Sequence, residues 1–96
     1  MKTKTIPPMH PGQMIKEDFL GDYGLTQYAL AKALNIPQSR LTELIKGRRS
    51  ITADTAVRLG KFFGNSPSFW LNLQTEFDLR MVDSKRIAQE VTSIAA

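Results

Sequence analysis

The apolar positions of this chain fall into short helical stripes separated by turn residues, and two of those stripes stand close together. From Thr26 to Arg48 the sequence reads TQYALAKALNIPQSRLTELIKGR. Leu30, Ala31 and Leu34 recur at the spacing of one helical face. Asn35 follows where the chain must turn sharply, and asparagine is one of the few residues besides glycine that tolerates a left-handed conformation. Pro37 stands at the start of a second helix, where its fixed φ helps and its missing N–H costs little. In that helix Leu41, Leu44 and Ile45 share one side. Gln38, Ser39, Thr42, Glu43 and Lys46 fill an arc of roughly 140° on the other, and Gly47 predicts the stop.

The same periodicity predicts helices on either side. Upstream, His10-Pro11-Gly12 leads into a helix over about Gly12 to Leu20, where Ile15 and Phe19 form an i, i+4 pair beside Met14, and Gly21 ends it. Downstream, Thr52 predicts an N-cap, Asp54 sits in the first turn, and Ile51 is placed to staple onto Ala56. Ala56, Leu59, Gly60 and Phe63 continue that helix on one face until Gly64 closes it. Ser66 and Pro67 open the next as N-cap and first helical residue. Phe69, Trp70, Leu71, Leu73, Phe77 and Leu79 crowd into it on more than one face. A helix apolar on two faces is buried on both, here either by a wide contact with its own core or by a second copy of the chain. On the second reading Phe69, Trp70, Leu73 and Phe77 form a homodimer interface.

Past Met81 the chain turns polar. Ile87, Val91 and Ile94 keep a helical stripe after a cap at Asp83 or Ser84, so residues 81–96 read as a tail or a short extra helix. At the other end residues 1–8, MKTKTIPP, hold two lysines, a proline pair and no periodicity. They read as a flexible basic arm, either a plain terminus or a reach into a minor groove. The expected fold is all-α: a compact five-helix domain over residues 9–80, followed by that tail or sixth helix.

Ninety-six residues suit one domain with a modest core. Without cysteine there is no disulfide frame and no thiolate metal site. No apolar run approaches the roughly 20 residues needed to cross a bilayer, and a secretory leader is absent, so the expectation is a soluble cytoplasmic protein with no membrane partner. The net charge of +4 is unevenly spread. Between Thr26 and Lys61 stand seven basic residues and two acidic ones; the remainder holds six and seven. The positive excess therefore lies in the two-helix unit and just beyond, as expected for phosphate binding.

That charge changes the reading of the polar arc, which by itself would be an ordinary solvated face. Arg48 and Arg49 follow Gly47 at once, and Thr26 and Gln27 open the preceding helix with groups able to bind phosphate. The arrangement is a helix-turn-helix, whose second helix enters the major groove of operator DNA. Gln38 can bond an adenine edge through both ends of its amide, Ser39 and Thr42 can serve either base type, and Glu43 can accept from a cytosine amino group. Thr26, Gln27, Arg40, Lys46, Arg48 and Arg49 are placed for sugar-phosphate contacts. One histidine, no cysteine and no glycine-rich phosphate loop leave out the usual parts of an enzyme, so no catalytic residue, cofactor or metal is expected. His10 reads as a capping or loop group.

The segments MHPGQMIKEDF, GLTQYALAKALNIPQSRLTELIKGRRSITADTAVRLGKFF and SPSFWLNLQTEFDL together resemble the HigA type of antitoxin, a branch of the lambda-repressor-like helix-turn-helix (XRE) proteins. The resemblance covers about residues 9 to 80. It implies an all-helical dimer that represses its own type II toxin-antitoxin operon and neutralises a RelE-like, messenger-cutting HigB toxin by direct binding. A free-standing repressor without a toxin is the alternative. It also implies base reading by Gln38 and Ser39, with Thr42 and Glu43 one turn on, and a phosphate contact at Gln27. Asn35 replaces the commoner turn glycine, and Pro37 replaces a hydroxyl cap.

Overall fold

The structure, a computed structural model, describes residues 9–95; the arm expected over residues 1–8 lies outside them. Among the described residues the chain forms six helices and no strand. The first, α1, joins three consecutive pieces, Pro11–Met14, Ile15–Phe19 and Leu20–Asp22, the middle one π-helical. Then come α2 (Gln27–Leu34), α3 (Gln38–Ile45), α4 (Ala53–Phe63), α5 (Pro67–Met81) and α6 (Ser84–Glu90).

The π segment departs from the expected regular helix over residues 12–20. Ile15 and Leu20 are both buried, and five residues apart they would sit about 140° from each other on an α-helix. An i→i+5 bond, with the Leu20 N–H donating to the Ile15 carbonyl, brings them onto one face. Gly21 does not end α1 either: the helix runs to Asp22, and the left-handed residue is Gly24.

His10 caps α1. Its Nδ1 accepts the Gly12 N–H at 3.0 Å, and its ring meets Phe77 of α5 edge-on at 4.9 Å. Gly12, next in line, lies against the last turn of α3. A Cβ there would stand 1.8 Å from the Leu44 carbonyl oxygen, so only glycine permits this approach. The core gathers Ile15, Leu30, Leu41, Leu44, Leu59 and Trp70, all fully buried, and truncating any one leaves a cavity at a cost of about 2 to 5 kcal/mol.

Trp70 is corrected from dimer interface to core. It is 0% exposed, its indole N–H donates to Asn65 Oδ1 at 2.7 Å, and Phe19 and Phe63 lie 5.0 and 5.9 Å away. The doubled apolar face of α5 is absorbed there because α1 and α4 each bring an aromatic ring to it. Phe69 remains exposed, and Leu73 and Phe77 are half-buried. The last helix has Asp83 as its cap but ends at Glu90. Val91 turns extended, and Ile94 lies outside the helix that its spacing predicted.

Burial holds the His10 imidazole below its ordinary 6.5, with Asp78 acting weakly the other way. The unfolded chain therefore binds a proton more readily, and stability rises with pH. The His10 contribution is complete above about pH 6.5 and is lost as pH drops through the lowered folded value. His10→Asn keeps a capping oxygen without the titration, so urea unfolding at about pH 7.5 and pH 5.5 should show a smaller loss in the variant than in the wild type.

Candidate nucleic-acid interface

Two like-built corners hold the helix-turn-helix. At the end of α2, Asn35 adopts φ 56° and ψ 48°, the Ile36 N–H donates to the Ala31 carbonyl and the Asn35 N–H to that of Lys32. At the end of α3, Gly47 sits at φ 77°, the Arg48 N–H donates to the Glu43 carbonyl and the Gly47 N–H to that of Leu44. Both are Schellman motifs, which satisfy the orphan carbonyls and turn the chain sharply away. The second corner sends Arg48 and Arg49 off the helix axis. Pro37 occupies the cap position itself and makes no side-chain cap bond, one residue earlier than its expected place inside α3.

Side chains beyond the two helices fix the corner between them. Arg58 of α4 donates through Nη1 to the Leu34 carbonyl at 3.0 Å, closing the end of α2. Its Nε donates to Asp54 at 2.7 Å, and Arg40 Nη2 approaches the same carboxylate at 3.7 Å. The hydrogen bond from Arg58, with charge from Arg58 and Arg40, holds the Asp54 carboxyl below the usual carboxylate range. Gln74 of α5, nearly fully buried, accepts the Ile51 N–H at 2.8 Å and so ties down the segment that leaves α3. The Asp54–Arg58 pair carries a sequence signal, opposite charges at i, i+4. The reach of Arg58 to Leu34 carries none, and Gln74 shows only as a polar residue amid apolar neighbours.

The expected site residues divide accordingly. Gln38 and Ser39 are exposed on the first turn of α3, and Thr42 follows half-buried one turn on. Glu43 is engaged with Arg48 at 3.5 Å, which makes it part of the α3 terminus as well as of the arc. Arg40 is only partly exposed and faces Asp54; its Nε is buried without a partner among the described residues. It braces α3 against α4 beside the edge where the sequence expects a phosphate contact. Thr26 caps α2, its hydroxyl oxygen accepting the Ala29 N–H at 3.0 Å while its own O–H stays available to a phosphate. Gln27 is half-buried beside it, and Lys46, Arg48 and Arg49 are exposed at the far end.

A buried helix pair presenting an open polar arc, with cations and a helix N-terminus at its borders, defines a helix-turn-helix DNA-binding domain. The helix-turn-helix family matches residues 15–70. Antitoxin HigA-1 of Vibrio cholerae is 41% identical over 78 residues, 81% of this chain and 72% of that protein. An addiction module antidote protein of the HigA family from Coxiella burnetii superposes with a TM-score of 0.85 at 46% identity, covering 92% of this chain and 99% of that one. Pseudomonas aeruginosa antitoxin HigA, solved with the higBA promoter, gives 0.85 at 34% identity over 91% and 98%. The chain belongs to the HigA antitoxin family of helix-turn-helix proteins.

Reading and positioning should separate by mutation. Gln38→Ala is expected to cost about 1 to 3 kcal/mol on the operator and relax preference at one base pair per half-site, leaving non-specific binding nearly unchanged. Arg48→Ala should weaken binding to all DNA alike and make its salt dependence shallower by about one unit of slope. Salt titrations of both variants on operator and scrambled DNA measure this. Equal losses on both DNAs for Gln38→Ala would mean that α3 does not read bases.

Proposed function

We propose that this protein is a dimeric, cytoplasmic DNA-binding antitoxin without catalytic activity, which represses its own operon and neutralises a RelE-like, messenger-cutting HigB toxin by direct binding. The observation that carries the reading is the free first turn of α3, Gln38 and Ser39, on a scaffold whose relative from Pseudomonas aeruginosa was solved on its promoter. The HigA relatives, named as antitoxin and antidote, support the toxin partnership. No helix among the described residues is long and apolar enough to cross a membrane.

A two-fold operator needs two reading helices about 34 Å apart, hence two copies of the chain. The end of α5 and all of α6 supply an apolar surface for pairing. Leu79, Met81, Val82, Ile87 and Val91 are exposed there, and α6 buries no residue against its own chain. With Trp70 withdrawn into the core, this stretch takes its place as the dimerisation surface.

Coexpression with the product of the neighbouring reading frame tests the toxin half. A restored growth rate and a copurifying complex are expected. A neighbour that is neither toxic nor bound would leave a free-standing repressor. Light scattering at micromolar concentration tests the dimer, and a monomeric wild-type protein would overturn it.

A further inference from the structure

The segment that joins α3 to α4 carries Arg49, and little within the segment holds that residue in place. At one end the Gly47 corner fixes Arg48, whose N–H donates to the Glu43 carbonyl. At the other, Thr52 caps α4. Between them Arg49 and Ser50 are exposed and make no main-chain hydrogen bond among the described residues. Among those residues Arg49 enters no ion pair either. A cation on such a loop binds phosphate well only if the main chain beneath it is already ordered, because ordering it on contact would cost entropy.

The order comes from α5. Ile51 is buried, and its N–H donates to Gln74 Oε1 at 2.8 Å. Gln74 is itself only 5% exposed and lies one turn after Trp70, on the face that α5 turns to the core. A side-chain amide can present either end, and only its oxygen can accept from Ile51. Asp78 selects the end: Gln74 Nε2 donates to Asp78 Oδ1 at 2.9 Å, and a carboxylate there can only accept. The amide is thereby locked with its oxygen toward Ile51. Neither residue helps α5 itself. A buried amide costs desolvation unless both its ends are paired, and a carboxylate in the last turn of a helix opposes the helix dipole.

We infer that Gln74, oriented by Asp78, is a positioning residue for DNA binding: through Ile51 it sets Arg49 against the sugar-phosphate backbone. The inference rests on the DNA-binding reading above, and it gives α5 a part in that binding without any contact to DNA.

The test is a salt titration of the full chain on operator and scrambled DNA. Gln74→Met keeps the length of the side chain and removes the acceptor. It should weaken binding to both DNAs alike, by about 10-fold near 0.05 M salt and by less at higher salt, with a slope shallower by about one unit. Asp78→Ala lies at an exposed position, so it tests the orientation of the amide even where Gln74→Met does not fold. Removing a carboxylate makes the chain more basic, and charge alone would strengthen DNA binding. A loss of about 3-fold is expected instead, as for a weakened hydrogen bond. In a chain already carrying Arg49→Ala, neither substitution should change DNA affinity by more than about 2-fold, because the residue through which both act is gone. A defect spread through the domain would not vanish in that background. Either variant, folded and binding DNA as tightly as the wild type, overturns the inference, and so do losses that persist in full beside Arg49→Ala. A wild-type chain that binds neither DNA overturns the DNA-binding reading and the inference with it.

Discussion

The reading helix is seated by a backbone-to-backbone contact. Gly12 of α1 approaches the Leu44 carbonyl so closely that a methyl group would overlap it. The contact lies at the last turn of α3, where His10 also packs over Gly47 within 4 Å of the place a side chain would start there. Three short-range decisions converge on the spot: a proline-initiated helix capped by histidine, a glycine as its second residue, and a Schellman corner at Gly47. A helix held by side chains alone could slide by the length of a rotamer change. One held by its own main chain against another has far less freedom, and hydrogen bonds to base edges depend on placement to within a few tenths of an ångström.

Polar groups around the two helices divide between holding and reading. Arg58, Arg40 and Asp54 form a small charged brace across the corner, Gln74 grips Ile51, and Thr26 and Ser66 are spent on helix caps. Each satisfies a main-chain group that would otherwise face the interior unpaired, or fixes the angle between two helices. Gln38 and Ser39 are left free, at the end of α3 farthest from the seat. The side chains that hold the corner and those left free on the first turn of α3 are therefore different residues only a few positions apart, and the exposed cations after Gly47 stand outside the brace.

Much of this was legible in the sequence because it is local. Asn35, Gly64 and the caps at Thr52 and Ser66 are where residue chemistry alone puts them, and of the two caps offered for the last helix Asp83 is the one used. The stripe Leu41, Leu44 and Ile45 is buried as its spacing predicts. What escaped was long-range. Trp70 looked like surplus apolar area because nothing in its own helix reveals that Phe19 and Phe63 close around it. The π turn at Ile15 answers a packing demand from Leu20 that an α-helical count cannot express. The approach of Arg40 to Asp54, fourteen positions on, likewise has no sign in the local sequence.

If the main-chain seat at Gly12 sets recognition, disturbing it should reach the bases without touching any residue that meets DNA. The direct measurement is the affinity of Gly12→Ala for operator and for scrambled DNA, at a temperature where circular dichroism shows the variant fully folded. The ratio of the two should fall by about 10-fold, the worth of a lost base contact, while binding to scrambled DNA stays near the wild-type value. A folded Gly12→Ala protein that discriminates as well as the wild type would contradict the account.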